Sequence, residues 1–72
     1  MNAQSSVRVR INGDPRTLPA GTRIAALLEE LGVSTPRVAV ERNRQIVPRS
    51  RYDSIELQEG DEVEVVEFVG GG

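Results

Sequence analysis

The chain has 72 residues, a formal net charge of −2, and neither cysteine nor histidine. This length fits one small domain, and the missing side chains exclude disulfides, thiolate nucleophiles, cysteine metal sites and the commonest general base, so a stand-alone enzyme is not expected. The acidic balance argues against a nucleic-acid binder, and no apolar run approaches the roughly 18 residues that span a membrane.

The first predicted elements are a polar N-terminal segment and a β-hairpin. Residues 1–6 have no basic or apolar stretch typical of a signal peptide, so we expect a flexible segment and a cytoplasmic protein. From 7 to 11, apolar residues alternate with arginines, which is the period of a half-buried strand. Asn12-Gly13-Asp14 predicts a tight turn, and residues 16–18 predict a short return strand.

A helix of about ten residues is predicted next. Thr22 is the expected N-cap, and Gly32 is the expected left-handed residue just beyond the helix. Four apolar residues recur at the spacing of one helical face, namely Ile24, Leu27, Leu28 and Leu31. Such a face requires a sheet to pack against, because a helix this short is not stable alone.

The second half of the chain predicts three further strands. Residues 38–40 form a buried strand, 42–44 a turn, and 45–47 the return strand. Pro48 to Tyr52 predicts a helical turn or a loop in which Tyr52 covers the edge of the core, and residues 58–61 predict another turn.

The last predicted strand runs from Glu62 to Val69. Val63 and Val65 have one parity, whereas Val66 and Phe68 have the other. We therefore expect this strand either to shift its register through a bulge or to be covered on both faces.

This order of elements predicts an α+β fold, in which one main helix packs on one face of a mixed sheet of four to five strands. The domain is expected to span residues 7–69. Its predicted core consists of Val7, Val9, Ile11, Ile24, Leu27, Leu28, Leu31, Val38, Val40, Ile46, Leu57, Val63 and Val65.

The sequence ends in three glycines, Gly70, Gly71 and Gly72, directly after the last strand. Glycine has no Cβ, so such residues pass through a channel that excludes side chains. From Val69 to Gly72 an extended tail reaches roughly 13–14 Å. We therefore expect a flexible tail, residues 70–72, that delivers the α-carboxylate of Gly72 into another protein's active site.

Charge is distributed unevenly along the second half. Residues 37–51 contain five arginines and one glutamate, whereas residues 53–67 contain seven acidic residues and no basic one. One interpretation is two solvated faces that complement each other. The other is that the acidic stretch steers docking onto a basic partner, and the two are compatible.

Several local motifs resemble a known family. Ile46-Val47-Pro48-Arg49 is followed by the aromatic Tyr52, by the turn Glu59-Gly60-Asp61 and by a strand ending in Gly-Gly. With the element order, these motifs resemble the ThiS/MoaD family of ubiquitin-like β-grasp sulfur carriers over about residues 7–72. The MoaD branch tends to have Pro-Pro-Val before its Gly-Gly, where this chain has Glu67-Phe68-Val69, so the resemblance favours the ThiS branch of thiamine biosynthesis.

The resemblance implies a carrier that acts as a co-substrate and is not itself an enzyme. A ThiF-like adenylating enzyme would use ATP and Mg²⁺ to form an acyl-adenylate at Gly72. A sulfur donor charged by a cysteine desulfurase would convert it to a thiocarboxylate, which would pass its sulfur to a ThiG-like thiazole synthase. The chain itself would bind no cofactor, metal, nucleic acid or membrane and would be monomeric alone.

Three alternatives stay open at this point. A MoaD-like carrier would serve molybdopterin, a ubiquitin-like modifier would form isopeptides through Gly72, and an inert β-grasp module would not use its tail. The predicted functional residues are Gly72 as the reacting carboxylate and, for partner binding, Gly70, Gly71, Val69, Phe68, Glu67 and Glu64. Phe68 is either a core residue or an interface anchor.

Overall fold

The computed structural model describes residues 5–33 and 35–68. Two short 3₁₀ turns, Thr35–Arg37 and Arg49–Arg51, accompany the regular elements. These are β1 (Ser6–Ile11), β2 (Asp14–Pro19), α1 (Ile24–Leu31), β3 (Val38–Arg42), β4 (Gln45–Val47) and β5 (Glu62–Glu67). The predicted order of elements is confirmed, and none of the helices in this part of the chain is long and apolar enough to cross a membrane.

The five strands form one mixed sheet in the order β2-β1-β5-β3-β4. β1 and β5 are parallel neighbours at the centre, and every other neighbouring pair is antiparallel. α1 contributes three fully buried residues, Ile24, Leu27 and Leu28, to the core on one face of this sheet. The predicted α+β fold class is therefore confirmed, and the strand that leads toward the terminal glycines lies in the middle of the sheet.

Both hairpins close through two-residue turns of the kind that matches the twist of the strands. Asn12 and Gly13 have φ values of 52° and 87°, and Asn43 and Arg44 have φ values of 52° and 70°. Positive φ at both central positions defines the type I′ turn, which joins strands without splaying them. The register of each hairpin follows from this turn, with Ile11 opposite Asp14 and Arg42 opposite Gln45.

The start of α1 differs from the prediction that Thr22 is its N-cap. The N-cap position is Arg23, whose side chain makes no capping bond. The hydroxyl and the N–H of Thr22 both donate to the carbonyl of Pro19, at 2.6 and 3.2 Å, and so close the preceding turn. The first-turn N–H groups of Ile24 and Ala25 donate instead to distant backbone carbonyls in the 52–55 loop. Tertiary contacts therefore satisfy the orphan donors that a cap would otherwise satisfy.

The end of α1 is as predicted. Gly32 has a φ of 76°, and its N–H donates to the carbonyl of Glu29 at 3.0 Å. The N–H of Val33 donates to the carbonyl of Leu28 at 3.2 Å. This pair of bonds is the usual way in which a left-handed glycine ends a helix.

Most of the predicted core is confirmed, but Ile46 is wrong. Its side chain is 74% exposed, whereas Val47 beside it is buried. The two-residue turn places Val47 opposite the buried Val40, and alternation along a strand then directs Ile46 to the other face. Leu18, Val47 and Tyr52 complete the buried cluster, while Val7, Leu31 and Val65 are only partly buried.

The two expectations for the last strand are both wrong. β5 pairs with β3 without interruption from Arg42 opposite Val63 to Val38 opposite Glu67, so no bulge is present in this pairing. Val66 and Phe68 are not covered, since 54% and 56% of their surfaces are exposed. β5 ends at Glu67. Of the predicted extension to Val69, Phe68 is not part of the strand, although its N–H still donates to the carbonyl of Arg37, and Val69 lies outside the described residues.

Candidate functional site

The residues predicted to react or to enter a partner fall into two groups. Val69, Gly70, Gly71 and Gly72 lie outside the described residues, whereas Glu64, Glu67 and Phe68 lie on or directly after β5. The described part of the site is therefore β5, the surfaces on either side of it, and the contacts that hold it.

β5 is held on one side by β3. The N–H of Phe68 donates to the carbonyl of Arg37 at 2.6 Å, and the N–H of Asn43 donates to the carbonyl of Glu62 at 2.7 Å. In an antiparallel pair every second residue bonds to the partner strand. The even-numbered residues of β5 therefore bond to β3, and this pairing continues one residue beyond the strand toward the tail.

On its other side β5 is held by Asn12. The N–H of Asn12 donates to the carbonyl of Val63 at 2.8 Å. Its side-chain amide donates to the carbonyl of Val65 at 3.2 Å and accepts the N–H of Val65 at 2.8 Å. The Asn12 amide thus replaces a residue of β1 after that strand has ended, a role that the turn motif did not reveal.

The start of β5 is held by the carboxylate of Asp61, a residue that is only 5% exposed. It accepts the N–H of Gln58 at 2.8 Å, the Arg42 guanidinium at 2.9 Å and the Asn43 amide at 3.0 Å. The same Asn43 side chain accepts the N–H of Glu62 at 2.9 Å. This network joins the β3–β4 turn to the turn before β5, and in the sequence Asp61 was visible only as a turn residue.

Opposing effects set the charge of Asp61. Burial by itself raises the pKa of its carboxyl. The hydrogen bonds from the N–H of Gln58, the Arg42 guanidinium and the Asn43 amide, in decreasing order of effect, lower the pKa by more than burial raises it. The pKa of Asp61 therefore lies below the usual value, and the carboxylate stays ionised at neutral pH.

The outer face of the sheet, opposite α1, presents the exposed apolar side chains. Ile46, Val66 and Phe68 are the large hydrophobic residues found exposed in the described chain. Ile46 and Val66 alternate with the buried residues of β4 and β5 and therefore point to the outer face. Phe68, directly after β5, continues this alternation and points to the same face. Ala39, which pairs with Val66, adds to this surface. We call these four residues the outer apolar patch.

Carboxylates lie beside the outer apolar patch. Glu41 and Glu64 are directly opposite each other on β3 and β5, and Glu62 shares their face. Like charges in such a pair destabilise a sheet. Glu67 has the inward parity of Val63 and Val65, so Glu64 and Glu67, predicted together as partner-binding residues, lie on opposite faces.

The interpretation that the basic and acidic stretches complement each other is largely unsupported. Within residues 5–33 and 35–68, one ion pair joins them, between Arg42 and Asp61 at 2.9 Å. A second ion pair, between Arg8 and Glu59 at 3.1 Å, is exposed. The other acidic residues of the stretch have no ionic partner in this part of the chain.

Among the described residues, no group of three or more acidic side chains is placed to hold a metal ion, and the sequence has no histidine or cysteine. The described part of the site is thus a central strand that is bonded on both sides, and residues 69–72 follow it in the sequence.

Comparison with known proteins identifies the family. The model of the ThiS family matches residues 9–72. A sulfur carrier protein ThiS of Thermus thermophilus is 39% identical over 64 residues, covering 89% of this chain and 98% of the relative. The crystal structure of a thiamine biosynthesis protein (ThiS) from Geobacter metallireducens superposes with a TM-score of 0.77 at 32% identity, covering 92% of this chain and all of the other.

A longer relative also matches. A thiazole synthase of Magnetococcus marinus is 46% identical over 66 residues, which are 92% of this chain but 20% of that protein. The chain thus spans about a fifth of the length of such relatives. The mixed five-stranded sheet with one helix is the β-grasp fold of the solved ThiS structure. With the family match over residues 9–72, this shows that the chain belongs to the ThiS family.

Proposed function

We propose that this chain is a sulfur carrier of thiamine biosynthesis and that its working group is the α-carboxylate of Gly72. The observation that supports this most directly is the ThiS family match, which extends through residue 72 and so includes the terminal glycines. The structure adds that the strand before them is central in the sheet and is bonded on both sides as far as Val65.

The chemistry follows from the properties of a carboxylate. A terminal carboxyl has a pKa of about 3.5 and is ionised at neutral pH, so it resists nucleophiles until it is activated. In the proposed first step a carboxylate oxygen of Gly72 attacks the α-phosphate of ATP, and Mg²⁺-bound pyrophosphate leaves. The product is an acyl-adenylate formed by a ThiF-like enzyme, which we place with the carrier in the cytoplasm.

The second step replaces the adenylate by sulfur. The persulfide of a donor charged by a cysteine desulfurase attacks the acyl carbon of Gly72 and displaces AMP, which forms an acyl disulfide. A thiol of the partner proteins then cleaves its S–S bond, so that a disulfide forms on the donor and Gly72 is released as a thiocarboxylate. A thiazole synthase is the proposed acceptor. This partner is supported by the longer relatives that have the name thiazole synthase and contain a segment matching nearly the whole of this chain.

The proposed docking surface for the adenylating enzyme is the outer apolar patch with its carboxylates. Phe68 is adjacent to the tail and 56% exposed, so it is available as an interface anchor and is not a core residue. Apolar and aromatic side chains commonly dominate binding energy, while surrounding charges act on the rate of encounter. Glu64 and Glu62, which share the face, are therefore the proposed steering charges, joined by Glu41.

The deciding experiment mixes the chain with its adenylating enzyme, ATP and Mg²⁺. We expect pyrophosphate release and an adenylate at Gly72 and, once a sulfur donor is added, a mass gain equal to sulfur minus oxygen. Deletion of Gly72 should abolish both steps, because the carboxylate then ends about 3.5 Å short and errors of 1 Å already cost about a hundredfold in rate.

Gly71→Ala serves as the matched variant. Its methyl group should impair adenylation inside the enzyme's channel while leaving the melting temperature of the domain unchanged. Stable conjugates to lysine-bearing proteins, with no sulfur gained, would show a ubiquitin-like modifier instead. Transfer of the sulfur to a molybdopterin precursor, with none reaching a thiazole synthase, would show a MoaD-like carrier.

A further inference from the structure

β5 has an open edge where it extends past β1. The paired residues of these parallel strands are Arg10 with Glu62 and Ile11 with Val63, after which β1 turns away into its hairpin. Asn12 bonds to the next residue on that side, Val65. The backbone N–H and carbonyl of Glu67 point to the same side of β5 as those of Val65, because these groups alternate along a strand. Neither group has a hydrogen-bonding partner among the described residues.

A groove lies directly beside this open edge. Its apolar part is formed by Ile11 of β1, by Leu31 and Val33 at the end of α1, and by Val65. Leu31, Val33 and Val65 are only partly buried, although they pack against the core. Its polar rim is formed by Asn12, Asp14, Arg16 and Glu67.

The groove and the open backbone groups together have the features of a site for an extended peptide. A strand added to a sheet edge gains main-chain hydrogen bonds, and pockets under alternate side chains give it specificity. Here the N–H and carbonyl of Glu67 would supply the bonds, and the half-buried residues Leu31 and Val33 would contact one apolar side chain of the added strand. Open strand edges are normally blunted or covered.

We propose that an extended segment of the adenylating enzyme adds to β5 at Glu67, in line with β1, and places an apolar side chain in this groove. This inference rests on the proposed function, because it names the partner of the same carrier. The segment would lie beside Glu67 and Phe68 and so guide residues 69–72 toward the reacting phosphate. The apolar side chain of the added segment would contact the α1 face of the sheet, which is opposite to the outer apolar patch.

Other occupants fit less well. The chain's own residues 1–4 span roughly 13–14 Å when extended, whereas the groove lies at the far end of β1, six residues or about 20 Å from Ser5. The enzyme must bind residues 69–72 to reach Gly72, so part of it necessarily lies next to Glu67. Continuity with the reacting tail therefore favours the enzyme over a second copy of the chain.

Amide hydrogen exchange tests the inference with the wild-type chain. In the free protein the Glu67 amide should exchange much faster than the Val66 amide, whose residue pairs with Ala39 of β3. In the complex with the adenylating enzyme and a non-hydrolysable ATP analogue, exchange at Glu67 should slow at least about tenfold. Protection of Glu67 in the free chain that grows with concentration would instead show a second copy and overturn the proposal.

A backbone variant tests the same contact by rate. Glu67→Pro removes an N–H that the domain does not use, and proline is tolerated on strand edges, whereas Glu67→Ala removes only the carboxylate. The KM of adenylation should be about tenfold higher for the proline variant than for the alanine variant, the effect of one lost hydrogen bond. If the proline variant melts lower than the alanine variant, a synthetic chain with an ester in place of the Val66–Glu67 amide gives the comparison.

Two failures are distinguishable. If the wild-type chain releases no pyrophosphate with the enzyme, the proposed function falls, and this inference falls with it. If the chain is adenylated normally but Glu67 exchanges in the complex as in the free protein, and the two variants have equal KM values, the added strand alone is refuted.

Discussion

Replacing Asp61 by asparagine should destabilise the domain strongly for a conservative change. The carboxylate accepts three hydrogen bonds of 2.8–3.0 Å, one of them from the Arg42 guanidinium. An asparagine oxygen can retain the bonds from Gln58 and Arg42, but its NH₂ group then faces the NH₂ group of Asn43. Asn43 cannot turn over without losing its bond from the N–H of Glu62.

The expected loss is about 2 kcal/mol. Hydrogen bonds to charged groups contribute about 1.5–3 kcal/mol each, and the Asp61 side chain is only 7% exposed. The Arg42 side chain is 30% exposed, so solvent screens part of its attraction. In a domain of this size 1 kcal/mol shifts the melting temperature by about 4–8 °C, so Asp61→Asn should melt about 8–16 °C lower.

The pH dependence gives a second readout. Because the pKa of Asp61 is lowered in the folded state, its stabilising effect is complete well above the unfolded value of about 3.9 and is lost as the pH falls through the folded pKa. The difference in melting temperature between the wild type and Asp61→Asn should therefore be largest at neutral pH and become smaller in acid.

Thermal unfolding followed by circular dichroism between pH 2 and 7, at about one-unit steps, measures both effects. Asp53→Asn is the matched control, because Asp53 is exposed and its carboxylate has no ion pair in the described chain. This role of Asp61 would be refuted if Asp61→Asn had the same melting temperature as Asp53→Asn at neutral pH. It would also be refuted if the difference in melting temperature between Asp61→Asn and the wild type increased in acid.

Three further predictions follow from the packing and the charges. Leu28 is fully buried, so Leu28→Ala should lower the free energy of unfolding by about 2–5 kcal/mol in denaturant titrations. Thr22→Ala should cost about 0.5 kcal/mol, less than the ~1 kcal/mol of a lost N-cap, because the Pro19 carbonyl keeps its bond from the backbone of residue 22. Glu64→Arg should slow adenylation at low ionic strength but not at high ionic strength. Glu30→Arg, on the exposed side of α1, should leave the rate unchanged at both. Equal rates for the two variants at low ionic strength would exclude steering by Glu64.

Local sequence determined the order of the elements and some of their ends. Alternation between Val7 and Ile11 gave β1, the Asn12-Gly13 pair gave a type I′ turn, and Gly32 ended α1 as expected. These are effects of backbone preference and side-chain period, which act within a few residues and are therefore visible without the fold. The local motifs around Ile46 and the terminal glycines likewise sufficed to indicate the family, which comparison then showed.

Positions that depend on the register or on distant partners were decided only by the tertiary structure. Ile46 and Val47 are both apolar, and only the two-residue turn that pairs Val47 with Val40 determines which of them is buried. Val66 and Phe68 were expected to be covered or displaced by a bulge, yet regular pairing leaves them exposed.

The same is true of the contacts that position the candidate site. The Asn12 amide bonds to Val65 across 53 residues, and Asp61 accepts bonds from Arg42 and Asn43 across 19 and 18. Sequence pattern indicates which face of an element is apolar, but it does not show which elements become neighbours. Parallel pairing makes the first and the last strand neighbours although they are distant in the sequence, and from that pairing come both the anchoring of β5 and its open edge at Glu67.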